Sequence, residues 1–174
     1  MSRTHAVNTK SKDCAKESGF YLPGDAPLLV IIVNDVQSQR EIKKLTVGLK
    51  GLPLNFRIIF VDNTKVRVSD LKNSYHVSKK EAEKFFTFAH MVLFSSKKPS
   101  KALIKSAISN GAVPIVSGGV GFLKNYTGPA EAGNSFKFSG TNFWGMYAAV
   151  VRALENFGFP YDWKNIIKSA KDIL

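Results

Sequence analysis

The sequence has few of the features that mark a specialised class of protein. One of its 174 residues is cysteine, Cys14. A single cysteine makes no intrachain disulfide and no cysteine-rich zinc site, which favours a reducing, cytoplasmic location. No apolar run approaches the roughly 18 residues of a membrane span, and the N-terminus lacks the apolar core of a signal peptide. We therefore expect no membrane-spanning segment.

Acidic residues are also scarce. The chain has 13 Asp and Glu against 25 Lys and Arg, a formal net charge of +12 at pH 7. Such an excess favours anionic partners, which include nucleotides, phosphosugars, nucleic acid, acidic proteins and acidic membrane surfaces. His76 and His90 lack the spacing of metal ligands. We expect no metal and no cofactor.

The composition predicts a short tail and one domain. Residues 1–19 are polar and basic, with few large apolar groups. Such a segment buries too little surface to offset its ordering entropy, so we predict a disordered basic tail. Residues 20–174 have the length and the apolar content of a single globular domain.

Apolar strand patterns alternate with helical ones along this domain. The run "LLVIIV" is apolar at every position, which is typical of a parallel strand covered by helices on both faces. Ser78 and Glu81 form a capping-box pattern before one helix. We predict an α/β fold with an open, doubly wound parallel sheet and flanking helices. The predicted strands are residues 28–33, 56–62, 75–77, 90–96, 112–117 and 135–139, and the predicted helices include residues 66–73, 79–89, 99–110 and 161–174.

Ligands of such sheets lie at the carboxyl ends of the strands, where one loop is rich in glycine. Residues 117–124 contain Gly118, Gly119 and Gly121. Glycine lets backbone amides approach a ligand. The spacing matches neither the P-loop nor the dinucleotide fingerprint. An anion-binding nest and a plain tight turn are both consistent with it.

A second loop, residues 95–101, is rich in lysine. It places Lys97, Lys98 and Lys101 beside the N-terminus of a helix that we predict to begin at Pro99. Cations there are unfavourable by a few tenths to about 1 kcal/mol each, and a bound anion would offset that cost. The alternative interpretation of these three lysines is a solvated basic surface that binds no specific ligand. In a third loop, residues 34–40, Arg40 is placed either to reach a phosphate or to lie on the surface.

Several segments follow one another in a distinctive order. "APLLVIIVN", "FRIIFVD" and "EAEKFFTFAHMVLFSS" come first, "AISNGAVPIVSGGVGFLKNY" gives a helix, a "PIV" strand and a glycine-containing turn, and "GNSFKFSGTNFWGMYAAVVRALENF" follows. In this order the segments resemble the C-terminal half of bacterial glycogen synthases and plant starch synthases, including the family's closing section. The resemblance implies the nucleotide-sugar-binding half of a two-domain GT-B glycosyltransferase, which transfers glucose from ADP-glucose to an α-1,4-glucan with retention.

The positions that carry the family's chemistry differ in this chain. In the family an arginine and a lysine after the first strand hold the diphosphate, and these positions are Asn34 and either Gln39 or Arg40 here. The glutamate that faces the donor sugar falls on Lys98, and the glycine after it on Lys101. A second acidic position falls on Ser106. The resemblance therefore implies no catalytic residue in this chain.

Three hypotheses follow. The first is a degenerate glycosyltransferase donor domain, inactive alone, that retains an anion or nucleotide-sugar site for ADP-glucose or UDP-glucose. Its binding residues would be Asn34, Arg40, Lys97, Lys98, Lys101, Gly118, Gly119 and Gly121. The second is half of a split enzyme, completed by a separate N-terminal GT-B domain. The third is a basic module that binds nucleic acid or an acidic protein, although the sequence has no recognised nucleic-acid-binding motif.

Overall fold

Six parallel strands form the centre of the molecule. The computed structural model describes residues 26–34, 38–61, 73–140 and 142–174. The strands lie in one sheet in the order β3-β2-β1-β4-β5-β6, and every pair is parallel. The strands are β1 (Leu28–Val33), β2 (Asn55–Val61), β3 (Ser74–Val77), β4 (Met91–Phe94), β5 (Val113–Ser117) and β6 (Phe136–Phe138). The predicted doubly wound sheet is confirmed.

Within the described residues, five α-helices pack around the sheet, and a short 3-10 helix, Gly128–Ala130, lies between β5 and β6. The α-helices are α1 (Ser38–Leu49), α2 (Lys79–Phe86), α3 (Lys101–Ser109), α4 (Phe143–Phe157) and α5 (Pro160–Lys171). Helices α1 and α4 pack on one face, where the apolar core includes Leu45, Ile31 and Met146. Helices α2 and α3 pack on the other, against Val30 and Val92. Within the described residues, no helix is long and apolar enough to cross a membrane.

The burial of β1 on both of its faces explains this layered arrangement. All six of its residues are buried, with alternate side chains contributing to the two opposite cores. A strand apolar on both faces is stable only when both are covered. Burying a Leu or Ile side chain contributes about 1.5–3 kcal/mol, so β1 and its neighbours β2 and β4 anchor the fold.

The boundaries of several helices differ from the prediction, and α5 ends at Lys171 rather than at residue 174. The predicted capping box is confirmed, since Ser78 accepts from the Glu81 amide and Glu81 accepts from the Ser78 amide. That helix ends at Phe86 rather than at residue 89, because the chain tightens into a turn in which the amide of Phe88 donates to the carbonyl of Phe85.

The prediction that Pro99 opens the next helix is wrong. Ser100 has an extended backbone (φ −62°, ψ 119°), and its hydroxyl accepts a hydrogen bond from the amide of Leu103. Serine at this position stabilises the first turn as an N-cap, so α3 begins at Lys101. The predicted tail, and the predicted helix at 66–73 apart from its last residue, lie outside the described residues. That last residue, Asn73, has a left-handed backbone with φ 69°.

Candidate functional site at the carboxyl edge of the sheet

The candidate site lies where the strand order reverses. Strand β1 pairs with β2 on one side and with β4 on the other, and α1 and α3 leave the sheet on opposite faces. The amide and the hydroxyl of Ser95 both donate to the carbonyl of Ile32, at 3.1 and 3.0 Å. The loops after β1 and β4 therefore begin side by side, at the point where open α/β sheets bind ligands.

The structure brings together two of the three loops predicted from the sequence. We call residues 95–101 the lysine loop and residues 117–124 the glycine turn. The hydroxyl of Ser117 donates to the carbonyl of Lys97 at 3.0 Å. The Lys101 ammonium lies 5.3 Å from the centre of the Phe122 ring, within the range of a cation–π contact. The two loops thus form one surface.

The lysine loop is positively charged and solvent-accessible. Lys97, Lys98 and Lys101 are exposed, and among the described residues none of them forms an ion pair with a carboxylate. The first turn of α3 contains no acidic residue. The amide of Lys98 donates to the hydroxyl of Ser96 at 3.2 Å, which folds the loop back on itself. The five residues that lead into and begin α3 therefore contain three lysines, next to the positive end of a helix dipole, which attracts an anion.

The glycine turn offers open space but few free amides. The amide of Gly118 donates to the carbonyl of Phe138 at 2.8 Å, and that of Val120 to the carbonyl of Ser117 at 3.4 Å. A Cβ at Gly119 or Gly121 would meet nothing within 4 Å. Neither residue is among the described glycines with positive φ. The fold therefore does not itself require glycine at these two positions.

Sequence reasoning missed Lys137 as a further cation of this surface. Lys137 lies on β6 opposite Val116 of β5, and its ammonium donates to the carbonyl of Val120 in the glycine turn at 2.8 Å. The side chain is half-buried. The signal was present in "FKF", because the residue between two core phenylalanines points to the opposite face of a strand.

The two predicted residues of the first loop have different surroundings. Asn34 directly follows β1, and its side-chain oxygen is buried with no hydrogen-bond partner among the described residues. A buried unpaired acceptor costs about 1–3 kcal/mol, so a donor from a ligand would stabilise it. Arg40 is exposed in the first turn of α1, and no described contact joins it to the lysine loop.

The N-terminus of α4, the helix that follows β6, is already capped by side chains of this protein. The carboxylate of Glu41 accepts from the amide of Phe143 at 2.7 Å, and Asn142 accepts from the amide of Gly145 at 2.8 Å. The hydrogen bond from Lys44 and then that from the Phe143 amide lower the pKa of Glu41. Since the N-terminus of α4 is already capped by the carboxylate of Glu41 from α1, the N-terminus of α3 is the better position for an external anion.

The structure also shows the surroundings of His90 and Trp144. The Nδ1 of His90 accepts from the amide of Leu28 at 3.0 Å, and its ring contacts Phe157 edge-on, so it serves the structure at the amino edge of the sheet. Trp144 is a large aromatic side chain on an amphipathic helix, yet it is 73% exposed in the first turn of α4. Among the described residues, no group of three His, Cys, Asp or Glu side chains is placed to hold a metal.

Comparison with known proteins identifies the fold. Neither a protein-family model nor a curated protein sequence matches the chain. The catalytic domain of starch synthase IV from Arabidopsis thaliana, solved with ADP and acarbose, matches with a TM-score of 0.69 and 16% identity over 92% of this chain and 38% of that one. The fold is that of a GT-B glycosyltransferase half. A glycosyltransferase from Rickettsia africae matches with a TM-score of 0.68 and 13% identity over 96% of this chain and 47% of that one.

The likeness extends across several kinds of glycosyltransferase. The C-terminal domain of a group 1 family glycosyltransferase from Francisella tularensis matches with a TM-score of 0.64 and 9% identity, over 97% of this chain and 91% of that one. The chain spans less than half the length of the first two neighbours. At these identities the comparisons establish the GT-B fold, and they leave the glycogen or starch synthase relationship as a proposal.

Proposed function

We propose that this chain binds the phosphates of a nucleotide sugar at the carboxyl edge of its sheet and does not transfer the sugar by itself. The observation that carries the proposal is the junction of the lysine loop with the glycine turn, through Ser117 and through Lys101 on Phe122. Three lysines at a helix N-terminus, with no carboxylate paired to them among the described residues, are unfavourable without an anion. A diphosphate would supply the missing negative charge, and a Cβ at Gly119 would meet no atom within 4 Å, so the backbone there is open to approach.

The choice of nucleotide sugar is part of the proposal. The resemblance to starch synthases favours ADP-glucose, and UDP-glucose is the second candidate. The starch synthase IV structure contains ADP, and an Anabaena protein of the same fold was solved with UDP and glucose. In this chain the buried side-chain oxygen of Asn34, which has no hydrogen-bond partner among the described residues, would accept a hydrogen bond from a hydroxyl or amine of such a ligand.

The inactivity rests on Lys98, which by resemblance occupies the position of the family's sugar-facing glutamate. A retaining glycosyltransferase stabilises a cationic sugar in its transition state, by analogy with glycoside hydrolysis. An exposed lysine at that position repels such a cation. Losing even about 4 kcal/mol of stabilisation slows a reaction by roughly a thousandfold.

A thermal-shift screen with ADP, UDP, ADP-glucose and UDP-glucose tests the binding. A ligand at 100 times its Kd adds about 2.7 kcal/mol of stability. We expect a shift with at least one ligand, its loss in Lys101→Glu and its retention in Lys80→Glu, which makes the same charge change at an exposed position of α2. No shift with any ligand, or equal loss in both variants, would contradict the proposal.

A transfer assay tests the inactivity separately. Radiolabelled ADP-glucose and UDP-glucose are incubated with glycogen and the full chain. We expect no label in the polymer, and sustained turnover by the chain alone would overturn this part of the proposal while leaving the binding intact.

A second candidate function, half of a split glycosyltransferase, is favoured by the exposure of a large aromatic side chain, since Trp144 in the first turn of α4 is 73% exposed. Under this hypothesis a separate N-terminal GT-B domain covers the carboxyl edge and Trp144. Affinity purification of the full chain from its own cells should then recover a glycosyltransferase-like protein, and repeated purification without one would count against it.

A further inference from the structure

The outer surface of α5 carries a row of exposed residues unrelated to the candidate site. Tyr161, Lys164, Lys168 and Lys171 follow one another at spacings of three and four residues, so they lie on one side of the helix. Tyr161 is 70% exposed, and the three lysines are exposed. We call these four residues, together with Phe159, the α5 stripe.

The N-terminal end of the α5 stripe is apolar and held firmly. Phe159 is 61% exposed. Its amide donates to the carbonyl of Asn156 at 3.0 Å, and its carbonyl accepts from the amide of Trp163 at 3.0 Å. Pro160 fixes the first helical position. The backbone therefore presents two adjacent aromatic side chains to solvent at one corner of the molecule.

The opposite side of α5 prevents the helix from rolling to bury this corner. Trp163 is 7% exposed and Ile166 is fully buried. The Trp163 ring packs against Phe157 at 5.3 Å and Phe136 at 6.5 Å between ring centres. Rolling the helix would expose this apolar side to water, which is unfavourable, so the α5 stripe stays on the surface.

The carboxylates of this region do not interrupt the row of lysines. Asp162 lies on the side of α5 that faces Tyr126, where burial first and the Asp162 carboxylate second raise the pKa of the tyrosine. Of the two other exposed carboxylates, Glu155 precedes Phe159, and Asp172 follows Lys168 by four residues, at the C-terminal end of the same side of the helix. The stripe is thus three lysines with an aromatic end and one carboxylate at its other end.

We infer that the α5 stripe binds the surface of a membrane that contains anionic lipids. Lysines near such a surface are attracted by its negative potential, and exposed Phe and Tyr side chains insert at the level of the headgroups. A purely basic row would suit any polyanion. The two aromatic residues at its end, in a chain without a recognised nucleic-acid-binding motif, favour a lipid surface over nucleic acid.

Co-sedimentation of the full chain with vesicles tests this inference. One set of vesicles is phosphatidylcholine alone, and the other is phosphatidylcholine mixed with phosphatidylglycerol. We expect binding to the anionic vesicles only, weakened at about 0.5 M salt because the Debye length falls well below 8 Å. Each lysine contributes about fivefold to the affinity, so Lys164→Gln, Lys168→Gln and Lys171→Gln combined should lower it by roughly a hundredfold.

Two further variants make the result specific to the α5 stripe. A control variant removes the same charge from exposed positions elsewhere by combining Lys43→Gln, Lys50→Gln and Lys80→Gln. The affinity of this control for anionic vesicles should fall only a few-fold. Phe159→Ser should weaken binding without changing its dependence on salt. Equal losses in the two triple variants, or no binding to anionic vesicles at low salt, would overturn the inference. The inference would also be overturned if the Lys164, Lys168 and Lys171 triple variant lost binding to an RNA oligonucleotide while its binding to vesicles was unchanged.

Discussion

The hydroxyl of Ser117 donates a hydrogen bond of 3.0 Å to the carbonyl of Lys97. Ser117 is the last residue of β5 and is buried, whereas Lys97 lies in an exposed loop after β4. The bond therefore fixes the lysine loop to a strand of the core. It also joins two loops that the sequence presents as separate candidates, which makes a single anion-binding surface the simplest interpretation.

Replacing Ser117 with Ala should weaken both the fold and the proposed site. The Lys97 carbonyl loses its donor, so we expect the free energy of unfolding to fall by about 1 kcal/mol and nucleotide binding to weaken as the loop loosens. Urea titration measures the first effect and calorimetry the second. Ser109→Ala is the control, because that hydroxyl bonds to the carbonyl of Lys105 within α3. Equal effects in the two variants would argue against a special role for Ser117.

Gly119→Ala should separate binding from stability. A Cβ at this position meets nothing within 4 Å, so the free energy of unfolding should change by less than about 0.5 kcal/mol. If a diphosphate approaches the glycine turn, the added methyl should lower nucleotide affinity by several-fold. Unchanged affinity would show that the turn does not contact the ligand.

Gly133→Ala provides the contrasting case. Gly133 has φ 127°, and a Cβ there would lie 2.4 Å from the Cα of Tyr126. Backbone atoms at that distance must move, and the backbone conformation is strained for any L side chain. We expect a loss of about 2 kcal/mol or more in urea unfolding, and a loss under about 0.5 kcal/mol would mean that the loop between β5 and β6 is more adaptable than its geometry indicates.

Lys137 on β6 should matter more than Lys124 at the end of the glycine turn. Its ammonium bonds to the carbonyl of Val120, whereas Lys124 is exposed. Lys137→Gln should reduce stability by about 1 kcal/mol and weaken nucleotide binding more than Lys124→Gln, which makes the same charge change. The reverse order of nucleotide affinities would place the ligand further from β6 than we propose.

The stability of the fold should depend on pH through His90. Burial lowers the pKa of this imidazole below its ordinary value of 6.5, so the unfolded chain takes up a proton at a higher pH than the folded one. The free energy of unfolding should therefore fall as the pH drops below about 6.5, until the folded-state pKa is passed. His90→Asn keeps a side-chain acceptor for the amide of Leu28 but does not titrate. The free energy of unfolding of this variant should fall less steeply as the pH drops. Identical pH profiles for the variant and the natural chain would exclude His90 as the cause of the acid destabilisation.

The strands and their order along the chain were predictable because burial dictates their composition. β1 is apolar at every position and lies in the middle of the sheet. The Ser78–Glu81 capping box was also predictable, because its hydrogen bonds are local. The start of α3 was not: both Pro99 and Ser100 are good residues for a helix start, and only the backbone geometry places the cap at Ser100.

The site was predictable in its parts but not in its assembly. The lysines of residues 97–101 and the glycines of residues 118–121 are visible in the sequence, but their junction depends on the Ser117 hydroxyl across two strands. The capping of α4 by Glu41 joins residues 102 positions apart, a separation that no local pattern reveals. Trp144 has the helical spacing of a core residue, yet it lies at 73% exposure because α1 covers only one side of α4's first turn.

Calorimetric titration of ADP-glucose and UDP-glucose into the full chain tests the central claim most directly. We predict saturable binding of at least one of them, with one ligand bound per chain. The combined Lys97→Gln, Lys98→Gln and Lys101→Gln variant should bind at least about tenfold more weakly, since charge-assisted hydrogen bonds contribute about 1.5–3 kcal/mol each. The Lys43, Lys50 and Lys80 triple control should bind like the natural chain. No saturable binding of either nucleotide sugar, or the same loss in the control, would contradict a diphosphate site at the lysine loop.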